Sequence, residues 1–215
     1  MKSALIFTFS LVILLLPGCS IFVPQKDNSV FYTLSEHSST ANDLAKEVRD
    51  DSVVINLIIN EIPSYADCPY IATQQEQNKI FFSEIHRWAE PFEDSCCRVI
   101  RDRLCEALRG RIAVISSMYA IGNQSVCDYW LSIDLDDAIY NAQEGNVIVK
   151  CSWSLFNYAT KKRILLRKYS NSTAVKGDAA YENIVEAMRV ALMELADDIL
   201  EKIQAIEASI TSKVD

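Results

Sequence analysis

Two stretches of this chain alternate so regularly that they fix the kind of core it must build. Cys127, Tyr129, Leu131, Ile133 and Leu135 occupy every second position, and so do Val147, Val149, Cys151, Trp153 and Leu155. A period of two places each set on one face of a β-strand. The polar residues 136–146 between them read as the turn of an antiparallel hairpin, and residues 163–170 as the third strand of the same meander. A sheet apolar on one face needs a second layer to cover it. Two segments with helical spacing supply that layer. Phe92, Cys96, Val99, Ile100, Leu104, Ala107 and Leu108 predict a helix with Pro91 in its first turn, running to Arg109 and stopped by Gly110. Tyr181, Ile184, Val185, Met188, Ala191, Leu192, Leu195, Ile199 and Ile203 predict a second, capped by Asp178 and ending near Gln204. Shorter strands are expected at residues 31–34, 53–59 (ended by Pro63), 70–73, 79–86 and 112–115. Residues 35–52 are polar and read as a loop or a short helix at 44–48. The expected fold class is α/β in the α+β sense: a mostly antiparallel sheet with two main helices packed on it, as a single domain.

The N-terminus reads as a processing signal. Lys2 is followed by an apolar run over residues 4–16, interrupted only by Thr8 and Ser10. A spanning helix needs roughly 20 apolar residues, so this run is too short to cross a membrane and fits a secretory signal. It ends in Leu16-Pro17-Gly18-Cys19-Ser20, the pattern of a bacterial lipobox. A thiol is required there because the diacylglycerol is joined to sulfur as a thioether, and Gly18 lets the signal peptidase reach the scissile bond. Cys19 is therefore the expected lipidation site, carrying acyl chains of the palmitate kind. The division expected is a signal peptide over residues 1–18, a lipidated tether over 19–29, a domain over 30–205 and a flexible tail over 206–215. Ten extended tether residues reach at most ~35 Å. Ser20 in place of an aspartate favours the outer membrane, on its periplasmic face.

Composition narrows the chemistry. The chain has 215 residues and a formal charge of -8, and removing residues 1–18 takes Lys2 with it. No dense Lys/Arg run offers a face for nucleic acid. The five glycines are too scattered to cradle a phosphate, and two histidines are too few for a His-rich metal site. His86 is a general base only in principle, because no nucleophile motif frames it. His37 falls in the polar linker. Asp134, Asp136 and Asp137 invite a cation reading, but Asp134 and Asp136 share the strand face opposite the apolar set, which favours a solvated face. Trp88, at a strand-to-helix corner, reads as a core plug ahead of a lipid contact. Cys68, Cys96, Cys97, Cys105, Cys127 and Cys151 allow 15 disulfide connectivities, all left open. The adjacent Cys96 and Cys97 are poorly placed to pair, and no CxxC indicates zinc or redox chemistry. Cys96, Cys127 and Cys151 read as buried free thiols, and Cys105 as lying on the exposed side of its helix. No catalytic, cofactor-binding or metal-binding set emerges.

Several short motifs recur in a telling order after the lipobox. They are Phe31-Tyr32-Thr33-Leu34, Ile62-Pro63-Ser64-Tyr65, Tyr70-Ile71-Ala72-Thr73, Arg87-Trp88-Ala89-Glu90-Pro91-Phe92, and a late helix opening on Tyr181-Glu182. In that order and spacing, over roughly residues 15–205, the chain resembles the ABC-type transport auxiliary lipoproteins, the family of the PqiC-like lipoproteins of paraquat-inducible systems. The resemblance implies a non-enzymatic accessory of an MCE-type intermembrane lipid transporter. Such a protein is anchored in the outer membrane through Cys19, docks a periplasmic MCE-domain protein, assembles as a ring in some settings and supports membrane integrity. The competing expectation is a structural or assembly lipoprotein of the envelope with no transport role; a secreted enzyme comes third.

Overall fold

β6 (Tyr129–Asn141) is the spine of the molecule. The computed structural model describes residues 26–34, 53–108, 112–116 and 127–211. Over these residues the order is β1 (Val30–Tyr32), β2 (Val53–Glu61), β3 (Tyr70–Glu76), β4 (Lys79–Trp88), α1 (Phe92–Leu108), β5 (Ile112–Ser116), β6, β7 (Asn146–Asn157), β8 (Arg163–Ala174) and α2 (Tyr181–Thr211). Along one side β6 pairs antiparallel with β7 from Tyr129↔Asn157 to Asn141↔Asn146, and β7 pairs antiparallel with β8. The other side of β6 takes two parallel strands in series, β2 along its first half and β3 at Tyr140 and Asn141. β5 extends the sheet beyond β2, and the β3–β4 hairpin carries β1 on its outer edge. The sheet is thus mixed. Its long ladders are antiparallel, while its four parallel pairings among the described residues are short.

Both helices lie on one face. α2 covers β6, β7 and β8, while α1 packs on α2, β2 and β5. The alternating sets converge there as expected: Leu131, Ile133, Val147, Val149, Cys151 and Trp153 are all at most 1% exposed. Ile184, Met188, Leu192, Leu195 and Ile199 of α2 cover them. Each such side chain taken fully out of water contributes about 1.5–3 kcal/mol before entropic costs.

Several boundaries differ from expectation: β8 runs on to Ala174, β3 to Glu76, β2 to Glu61 and β4 to Trp88, β1 covers Val30–Tyr32, and the differences at β6, α1 and α2 have local reasons. β6 does not end at Leu135. A bulge between Leu135 and Asp137 adds Asp136 to the strand and resets its phase, so Ala138 and Tyr140 turn inward and the strand runs to Asn141. The turn itself is short. Asn141 Oδ1 accepts from the N–H groups of Gln143 and Glu144, and Gly145 closes the turn at φ 67°. Asp178 does not cap α2; it accepts from the Asn183 amide at 2.8 Å, while the Ala180 carbonyl takes the first helical N–H groups. α2 then continues to Thr211, so part of the expected tail is helical. Pro91 stands one residue before α1, its carbonyl accepting from Ser95 N–H. Cys105 is half-buried rather than exposed, its Sγ 3.7 Å from the Val114 carbonyl, because β5 covers that side of α1. The six cysteines among the described residues, Cys68, Cys96, Cys97, Cys105, Cys127 and Cys151, are all free. The expected short helix at 44–48 and the Arg109–Gly110 stop lie outside the described residues. Among the described residues no helix is long and apolar enough to cross a membrane.

Candidate functional site

The motif segments, far apart in sequence, meet at one corner, where the tether enters the domain. β1 pairs with the end of β4 in register Val30↔His86, Phe31↔Arg87 and Tyr32↔Trp88. Directly opposed residues share a face, so Tyr32 and Trp88 turn inward together. Trp88 lies 5.1 Å, centroid to centroid, from Phe92 at the start of α1. Its N–H donates to the Pro69 carbonyl, and the Ala89 N–H to that of Tyr32, both at 2.8 Å. Trp88 and Phe92 are buried, so the core-plug reading holds. With Tyr65, Tyr70, Ile71 and Met188 they line a cavity of about 20 Å³. That is room for roughly one water and far below a ligand pocket.

Beside the plug sits a polar relay. Tyr32 donates its hydroxyl proton to Glu182 Oε1 at 3.1 Å, and its oxygen lies 2.9 Å from His86 Nδ1. The one phenolic oxygen thus links His86 to Glu182. Tyr181 stacks on the imidazole at 3.9 Å and 11°. His86 is thereby held by Tyr32 and covered on one ring face by Tyr181. Glu90 is the second polar hub, accepting from Ser95 at 2.6 Å and Thr33 at 3.1 Å and pairing with Arg98. Burial pushes the Glu90 carboxyl up, but the bonds from Ser95, Arg98 and Thr33 outweigh it and hold the group below its usual range. These bonds tie β1 to the N-terminal ends of both helices.

The relay makes a prediction for alkaline pH. Burial, then the Glu182 hydrogen bond and charge, raises Tyr32 from its ordinary 10 to about 12. A pKa raised on folding stabilises the fold fully below the unfolded value, and that stability is lost as pH rises through the folded value. Tyr32→Phe should therefore cost about 1–2 kcal/mol near neutral pH in urea unfolding. The gap to the wild type should shrink as pH climbs from 10 toward 12. A gap that stays constant across that range would refute the assignment.

The other candidate residues scatter. Cys19 and His37 lie outside the described residues. Asp134 accepts from Asn60 at 3.0 Å, and Asp136 is exposed on the bulge. Asp137 does more than face solvent: it accepts from the Tyr65 hydroxyl at 2.5 Å and pairs with Lys150 at 3.2 Å. Burial, and then that bond, push the Tyr65 hydroxyl well up. Among the described residues no group of His, Cys, Asp or Glu is placed to hold a metal ion.

The helix-free face of the sheet holds what sequence reasoning missed. Near β1 it exposes Phe31, Tyr70, Ile80 and Phe82, with the Arg87 guanidinium 5.2 Å from the Tyr70 ring. At the far edge, β8 and its hairpin turn expose Lys161, Lys162, Arg163 and Lys168. Counting charge over the whole chain hid this local basic face.

A family model described as "ABC-type transport auxiliary lipoprotein component" matches residues 32–200 of this chain. No curated protein matches it significantly. Among solved structures, an uncharacterised protein is similar at TM-score 0.64 and 14% identity, over 81% of this chain and 98% of that one. A Xanthomonas campestris protein grouped under the family model DUF330 is similar at TM-score 0.60 and 13% identity, over 74% of this chain and 88% of that one. At such identities the likeness is one of fold.

Proposed function

This chain belongs to the ABC-type transport auxiliary lipoprotein family, and from that premise we propose that it is the outer-membrane-anchored docking component of an MCE-type intermembrane lipid transport system. The family match across residues 32–200 is the observation that carries the reading. The proposed anchor is an acylated Cys19, with the domain on the periplasmic side and an MCE-domain protein as its partner. The protein is read as non-catalytic. Its conspicuous polar groups, Tyr32, His86, Glu182 and Glu90, are spent on fixing β1 to the helices. A cavity of about 20 Å³ does not house an acyl chain. The domain therefore serves the lipid path from outside, as a rigid body whose attachment to the tether is locked into the core. Copies meeting head to tail would close into a ring at the mouth of the conduit.

Crosslinking in intact envelopes followed by purification of the acylated chain tests this. The expected result is capture of an MCE-domain protein, with direct binding of the two purified proteins. Loss of the gene should then weaken the barrier to detergents. If neither crosslinking nor direct binding finds an MCE protein, transport gives way to a structural role in the envelope.

A further inference from the structure

Residues 145–177 contain seven basic side chains and no acidic one, in a chain whose formal charge is -8. Three of the seven are consecutive, Lys161, Lys162 and Arg163, at the turn between β7 and β8. Lys162, Arg163 and Lys168 are exposed and form no ion pair among the described residues. Lys161 is held in the left-handed region at φ 55°, uncommon for a side-chain-bearing residue, and its Nζ lies 3.5 Å from the centre of the Tyr158 ring. Trp130 meets Tyr158 edge-on at 6.0 Å, and the same ammonium is 5.6 Å from the Trp130 ring. Asp128, the nearby carboxylate in sequence, is engaged by the Val54 N–H.

The registers show how these groups are displayed. Trp130↔Phe156 and Phe156↔Arg163 form one row across three strands on the helix-free face. Ser132, Ser154 and Leu166 form the next, and Asp134, Ser152 and Lys168 the one after. Ile164 and Leu166 are 41% and 46% exposed, on a strand whose outer edge has no partner among the described residues. Amphipathic rings, cations and isolated aliphatic side chains on one rim are the set that settles at the boundary between headgroups and acyl chains.

We propose that this rim, the β7–β8 turn with Trp130 and the outer edge of β8, docks on an anionic phospholipid surface. Complementary charge selects the occupant, and the anchor supplies it. This step rests on the lipoprotein reading above. From β1 to β8 the sheet spans five strand spacings, about 24 Å. The residues from Cys19 to Val30 reach at most about 40 Å. The rim therefore lies within range of the same bilayer that holds the acylated terminus, and seating it would fix the orientation that the tether leaves free.

Trp130 is a built-in reporter, being 38% exposed while Trp88 and Trp153 are 8% and 1%. The acylated full chain is reconstituted into vesicles of brominated phosphatidylcholine, with or without phosphatidylglycerol, and both flotation and indole quenching are followed. Quenching is expected only with phosphatidylglycerol. It should be lost in Trp130→Phe, at high salt, and in the triple variant Lys161→Glu, Lys162→Glu, Arg163→Glu, whose thermal unfolding should match the wild type. Flotation without Trp130 quenching overturns the docking surface and leaves the anchor standing. Failure to float overturns the anchor and the docking surface with it. Concentration-dependent shielding of Trp130 from an aqueous quencher, without vesicles, would assign the rim to a second copy of the chain and overturn the lipid proposal.

Discussion

Truncating Trp88 to alanine is expected to cost the folded state about 3–5 kcal/mol, a large part of the stability of a domain this size. The indole is 8% exposed and lies against Phe92. The space around it is walled by β3, β6, α1 and α2, each fixed by its own packing, so the walls close poorly over the hole. A cavity of about 20 Å³ already borders the ring, which means the truncation enlarges a void instead of opening one in close-packed surroundings. Trp88→Phe keeps a ring in place and should cost less than half as much. Urea unfolding measures both. A loss below about 1 kcal/mol for the alanine variant would mean that the indole packs little in solution and faces a partner instead. The consequence reaches beyond stability. Trp88 and Tyr32 are register partners, so loosening this plug also loosens β1.

How much of this was legible beforehand depends on how local the signal is. The β6–β7 ladder and both helices could be read because period two and period 3.6 are properties of neighbouring residues. The bulge at Asp136 could not, because the partners that hold Asp137 beside it, Tyr65 and Lys150, lie far away in sequence. The parallel neighbours of β6 were hidden for a similar reason. A short run such as residues 53–59 announces a strand but says nothing of its partner, and here β2 and β3 share one edge of β6 in series. Cys105 looked exposed because a helical wheel knows one buried face, whereas α1 is also covered by β5. The corner was legible in its parts. Tyr32, Tyr65, Tyr70, Trp88 and Glu182 stood out as motif residues, but only the fold shows that they surround one plug and one relay. The basic rim was present in the sequence as an acid-free stretch and was overlooked because net charge averages it away.

Replacing Cys19 by alanine should remove the anchor completely, the largest effect expected of any single substitution in this chain. On the proposed reading the lipid is joined to the Cys19 sulfur and cleavage before that residue follows its modification, so the variant should accumulate as an uncleaved precursor of 24.3 kDa. The wild-type protein, by contrast, should start at residue 19 and carry a lipid adduct in intact-mass measurement. One acyl chain binds a bilayer only marginally, at about 0.8 kcal/mol per buried CH₂, and several chains make attachment effectively permanent. That difference matters for docking. A domain confined within a few tens of ångströms of a membrane meets any partner there at a high effective concentration, so even a weak contact is occupied. The Cys19→Ala protein should thus fold normally, since the corner at Tyr32 and Trp88 does not depend on the lipid, yet fail to restore detergent resistance to cells lacking the gene. Cleavage at another position, or an unmodified Cys19 in the mature wild-type chain, would end the lipoprotein reading of this N-terminus. Full complementation by Cys19→Ala would instead show that the lipid on Cys19 is dispensable for the domain's function.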